Sequence, residues 1–124
     1  MVTYYDYLNG ILKKVQMAYT TLEKLEDKPG DLETIKKEIL KIKGFFHVFI
    51  SKIDDGNNQL SDFSNLKSKF EHYLDTYSFE KEIETMAPLY ADDSNRLKNM
   101  RLKIIESLSD KKLMDDIEYI LDKL

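Results

Sequence analysis

Two histidines, one carboxylate-rich loop, a pair of adjacent aspartates and eight tyrosines are the first places in this chain to look for chemistry. Metal centres inside helical bundles draw on Glu-x-x-His pairs from separate helices. Neither His47 nor His72 has an acid three residues before it, so a carboxylate-bridged metal pair is not expected. His47, between Phe46 and Val48, reads as a structural or interface histidine, and His72, beside Glu71, as a solvated one. The run Asp54-Asp55-Gly56-Asn57-Asn58 has the look of a calcium loop. Setting Gly56 at the obligatory sixth position puts Ser51 first, Ile53 third and Asp62 twelfth, which compromises two oxygen ligands and the bidentate Glu, and leaves an ordinary turn. Asp115 and Asp116, as neighbours on a helix, point about 100° apart, which is poor geometry for shared acid-base work, and read as surface acids. With no cysteine there is no thiolate nucleophile and no Cys-based zinc site. G-x-S-x-G, P-loop and G-x-G-x-x-G patterns are missing too. No catalytic residue, cofactor or metal is assigned, and the expectation is a protein that is not an enzyme.

What remains is binding. Gly44 to Ser51 carries no formal charge between Lys43 and Lys52 and holds Phe45, Phe46, Val48, Phe49 and Ile50. With Ile42 and Ile53 these side chains fan over roughly 200° of a helix, about twice what one neighbour covers. Either this half-helix sits at the centre of a bundle, or Phe45, Val48 and Phe49 anchor a partner or a second copy of the chain. Leu40, Gly44, His47 and Ser51 add a narrow stripe of mostly small or weakly polar residues. Near the start, Tyr4, Tyr5 and Tyr7 crowd together: Tyr5 and Tyr7 could anchor a partner, or cover the end of a seam that Tyr4 joins. Charge is uneven as well. Residues 75–93 carry a net −5, and residues 94–112 a net +4. Arg96, Lys98 and Arg101, with Lys103, therefore form either a basic patch for an acidic partner or one side of ion pairs to the acidic segment.

These residues ride on helices. Tyr4, Leu8, Ile11, Val15, Ala18, Leu22 and Leu25 step by four and three, which predicts a helix from about Thr3 to Glu26. Lys28-Pro29-Gly30 stops it, and Asp31 is placed to cap the next. Leu32, Ile35, Ile39, Ile42, Phe46, Phe49 and Ile53 repeat the pattern, and two long seams joined by so short a turn lie antiparallel. Phe63, Leu66, Phe70, Tyr73 and Tyr77 predict a third helix. Continuing its phase would bury Glu80 and Glu84, so the phase slips near Ser78, where Phe79, Ile83 and Met86 take over before Pro88 interrupts. Ala91 to Ser94 reads as linker and cap, followed by Leu97, Met100, Ile104 and Leu108 on a further helix. Ser109 is placed to cap a last one bearing Leu113, Ile117, Ile120 and Leu124.

The expected fold is all-α: one domain over residues 1–124, an antiparallel bundle of four to five amphipathic helices that starts with a long αα-hairpin. A net charge of −4 argues against nucleic acid as a partner. The absence of cysteine, of a leader-like start and of a long apolar run points to a soluble cytoplasmic protein with no membrane association. The function expected is a non-enzymatic protein-protein interaction module, an acidic helical adaptor, inhibitor or immunity-type protein of the kind carried by mobile elements. The alternative is a small-molecule sensor whose apolar pocket, in the core or at a dimer interface, is lined by Phe46, Phe70 and Tyr73.

Overall fold

The computed structural model describes residues 4–53 and 61–122. Its helices are α1 (Tyr4–Lys24), α2 (Asp31–Lys52), α3 (Ser61–Thr76), α4 (Glu80–Tyr90), α5 (Ser94–Ser109) and α6 (Leu113–Asp122), with a single 3₁₀ turn at Asp110–Lys112 between the last two. The described residues contain no strand, and none of their helices is long and apolar enough to cross a membrane. The expected turn at Asp54–Asn58, the calcium-like loop around it and the outermost ends at Thr3 and Leu124 lie outside the described residues.

The hairpin forms as the two seams require. Leu8, Ile11, Val15, Ala18 and Leu22 of α1 are buried, as are Leu32, Ile35, Ile39, Ile42, Phe46 and Phe49 of α2. Tyr4 donates its hydroxyl to the Lys52 carbonyl, and Lys14 stands over the Phe45 ring, so the start of α1 lies against the end of α2. The local chemistry of the turn differs from the expected one. α1 stops at Lys24, and Asp27 takes a left-handed φ of 63° that short polar side chains tolerate. Gly30, at φ 95°, occupies the position before α2, and Asp31 is the helix's first residue. The Asp31 carboxylate does not cap the amides ahead of it. It reaches back and accepts from the Lys28 amide at 2.9 Å, closing the turn.

The slip after α3 is a real break at residues 77–79, with Phe79 buried as the new apolar anchor. Ser78 does not cap α4; its hydroxyl donates to Glu80 at 2.8 Å. Pro88, expected to interrupt, lies inside α4, which continues to Tyr90. Within the expected linker and cap at Ala91 to Ser94, Asp93 is the residue that caps α5, accepting from the amides of Asn95 and Arg96 at 3.0 and 3.2 Å. Ser109 caps nothing, because its hydroxyl donates to the Ile105 carbonyl. Arg101 on α5 reaches Asp27, Tyr19 meets Ser109, and Gln16 faces Met114 and Glu118. α5 and α6 therefore run antiparallel to α1 as one rod bent at the 3₁₀ turn, and the described helices make five rods.

The centre is aromatic. Phe46 stacks on Phe70 with ring centroids 4.0 Å apart, Phe49 meets Phe70 edge-on at 5.1 Å and Phe63 at 5.9 Å, and Tyr73 stands edge-on to Phe46 at 5.3 Å. Each such side chain contributes on the order of 2–3 kcal/mol by leaving water, and well-oriented ring pairs add about 1 kcal/mol.

The bend between α5 and α6 stores strain. Lys111 and Lys112 both hold positive φ, 53° and 58°, which costs a non-glycine residue on the order of 1–2 kcal/mol each. The corner is held by Lys69, which donates to the Lys111 carbonyl and the Asp116 carboxylate, and by Tyr77, which donates to Asp110 at 2.9 Å. Lys111→Gly removes the steric conflict and leaves the carbonyl in place. It is expected to stabilise the fold by about 0.5–1 kcal/mol in urea titration, and an unchanged or lowered midpoint would show that the corner is unstrained.

Candidate functional site

The uncharged run on α2 is divided between inside and outside. Phe46 and Phe49 are fully buried, Phe45 and Ile50 are half-buried, and His47 and Val48 are exposed, Val48 to 37%. Phe49 thus leaves the set of partner anchors, because its ring is locked between Phe63 and Phe70. Phe46, Phe70 and Tyr73, expected to line an apolar ligand pocket in the core, instead fill the centre against one another.

Phe45 lines a groove on the outside of the hairpin, and Val48 lies next to it on the same face of α2. Lys14, Met17 and Thr21 form one wall and Lys41 and Phe45 the other, around a volume of about 340 Å³. Stepping by three and four places Tyr7 in line with the first wall and Val48 with the second. Met17 is 68% exposed and Tyr7 44%. Two cations edge the groove: Lys14 lies 6.0 Å over the Phe45 ring, and Lys41 pairs at 3.3 Å with Glu38, a carboxylate otherwise buried. Beside it, Leu40, Gly44, His47 and Ser51 form an exposed stripe, and a Cβ added at Gly44 would meet nothing within 4 Å. Tyr5 stacks on Phe63 at 5.9 Å, so it seals the junction of α1 with α3 while one side of its ring stays in water.

A second groove, of about 740 Å³, lies between α4 and α5. Met86 and Met100 make its floor, and Lys81, Arg96 and Lys103 stand on its rim with Glu82. Lys103 binds both oxygens of Glu82, at 3.1 and 3.0 Å, so part of the charge asymmetry between the two segments is met by pairing across the helices. Arg96 lies 3.6 Å over the Tyr90 ring. Arg101 leaves the basic patch altogether: it grips Asp27 with two hydrogen bonds, 2.9 and 3.2 Å, and the two side chains are only 12% and 13% exposed. Lys98 is exposed on the far side of α5.

Among the described residues, no three His, Asp or Glu side chains converge closely enough to hold a metal. No family model, curated protein or solved structure matches this chain.

Several polar contacts were hidden from sequence reasoning. The Asp27–Arg101 clamp joins the hairpin turn to α5 across seventy-four positions, and the buried Glu38 sits where the helical period alone would place it at the edge of the seam. Tyr73, with its ring in the core, donates to Ser107 at 3.0 Å, since the single Ser107 proton goes to the Ile104 carbonyl at 2.6 Å. Burial pushes the Tyr73 phenol up to about 12.

Glu80, displaced from the core by the break after α3, pairs with Lys43 of α2. Partial burial pushes its carboxyl upward, but hydrogen bonds from Lys43, its own amide and Ser78, together with the lysine's charge, outweigh this and hold it at about 2, against the usual 4.5. A carboxyl lowered in the folded state stabilises fully above its unfolded value and loses that contribution as pH falls through the folded one. Glu80→Gln is therefore expected to cost on the order of 1–2 kcal/mol at neutral pH after solvent screening, with the difference from the parent shrinking below about pH 4.5 and gone near 2. Urea titrations at a series of pH values check this, and a difference that does not change with pH would contradict it.

Proposed function

We propose that this protein is a non-enzymatic interaction module that docks a helical surface onto another protein, or onto a second copy of itself, in the manner of an adaptor, inhibitor or immunity-type protein. The observation that supports it is the division of the α2 run. Four aromatic or β-branched residues within five positions share one helix; Phe46 and Phe49 are spent on the core, while Phe45 and Val48 stay at the surface. Phe45 and Met17 line a groove edged by Lys14 and Lys41, with exposed Val48 and Tyr7 in line with its two walls by helical spacing, and exposed apolar surface with a polar rim is the physical mark of a docking site. Phe45 and Val48 are its anchors. The cysteine-free composition suits a reducing compartment such as the cytoplasm.

The test is a photo-crosslinking side chain at Met17, on the wall opposite the anchors, in cells that make the protein. One discrete adduct is expected, reduced about tenfold or more by Val48→Asp, while thermal unfolding of Val48→Asp stays within a few degrees of the parent because Val48 is already in contact with water. An adduct of twice the chain's own mass identifies a second copy as the occupant. A smear of adducts, or one indifferent to Val48→Asp, contradicts docking at this groove.

A further inference from the structure

The α4–α5 groove has a construction of its own. Arg96, Asn99, Met100 and Lys103 of α5 form one wall, and the span from the first to the last is about two helical turns. α4 runs antiparallel to it, and the two helices are joined at both ends of the groove: Arg96 covers the Tyr90 ring at one end, and Lys103 holds Glu82 at the other. Between these joints lie Met86 and Met100, unbranched side chains that adapt to the shape of what they receive. α4 is thinly anchored, with Ile83 its one buried residue, and Leu89 near its end is 74% exposed. The rim carries three cations, Lys81, Arg96 and Lys103, against Glu82 in the groove and Asp93 just outside it, 3.9 Å from Arg96, which leaves a surplus of one positive charge.

We propose that this groove receives an acidic amphipathic helix from a partner protein. Two turns of groove over two methionines match two apolar side chains one turn apart, and the surplus of positive charge on the rim matches carboxylates flanking them. Between the two joints the groove opens to solvent. This site is separate from the hairpin groove and can be tested separately, because methionines mark each: Met17 in the hairpin groove, Met86 and Met100 here, and Met114 near α1.

The probe is a synthetic helix of about 16 residues with Leu along one face and Glu and Ala elsewhere, beside a counterpart with Lys for every Glu. Binding is followed on the full chain carrying ¹³C-methyl methionine. The Glu helix is expected to shift the Met86 and Met100 signals and leave Met17 and Met114 in place, with the affinity falling as salt rises. Lys81→Glu combined with Arg96→Glu, both exposed positions, is expected to weaken the Glu helix about tenfold or more and to turn the preference towards the Lys helix. Four results overturn the proposal: no movement of Met86 and Met100 up to about 1 mM peptide, equal binding of the Glu and Lys helices, movement of Met17 alone, or shifts produced by dodecanoate and not by the peptide.

Discussion

A helix with apolar side chains over half its circumference has to be covered from several sides, and α2 imposes that demand on everything around it. It packs against α1, α3, α4 and α5. Its inner arc meets the rings of α3, and this aromatic contact sets where α3 lies. α3 cannot continue past Tyr77 without carrying Glu80 inward, so the chain breaks, Phe79 and Ile83 restart the apolar seam, and Glu80 returns to α2 through Lys43. α5 and α6 then close the remaining side along α1, at the expense of two lysines in left-handed backbone at the bend.

The same demand produces the surface on which the functional proposal stands. An arc wider than its neighbours can cover leaves a margin, and Phe45 and Val48 are that margin. A lysine over a ring, or a lysine beside a nearly buried carboxylate, keeps such a margin wet enough to coexist with solvent while leaving apolar area for a partner. The α4–α5 groove arises differently. It exists because α4 is short, follows a break and buries a single side chain, so that it stands off from α5 and is joined to it through end contacts rather than a shared seam.

The helices and the hairpin were legible in the sequence because period and punctuation agreed there: strict alternation of three and four steps on both sides of Lys28-Pro29-Gly30. The break near Ser78 was legible from the two glutamates that a continued seam would have buried. Capping was less so. Asp31, Ser78 and Ser109 each have the chemistry of a cap, yet each side chain found a different local partner, and only Asp93 behaves as its type suggests. For the candidate sites, the sequence located the α2 run but left open how it divides, since a one-dimensional period gives the width of an arc and not which neighbours arrive. Phe49 and Arg101 were misplaced for that reason: the partners that bury them, Phe63 and Phe70 in one case and Asp27 in the other, come from distant segments.

The division of α2 into a face that holds the fold and a face free for a partner is most directly tested by equilibrium unfolding of Phe49→Ala beside Phe45→Ala. Deleting a fully enclosed ring is expected to cost about 3–5 kcal/mol, and deleting the half-buried one about 1 kcal/mol or less. Equal losses would mean that both rings belong to the core and that the hairpin groove is not a free surface; a small loss for Phe49→Ala would contradict the aromatic centre on which the whole bundle depends.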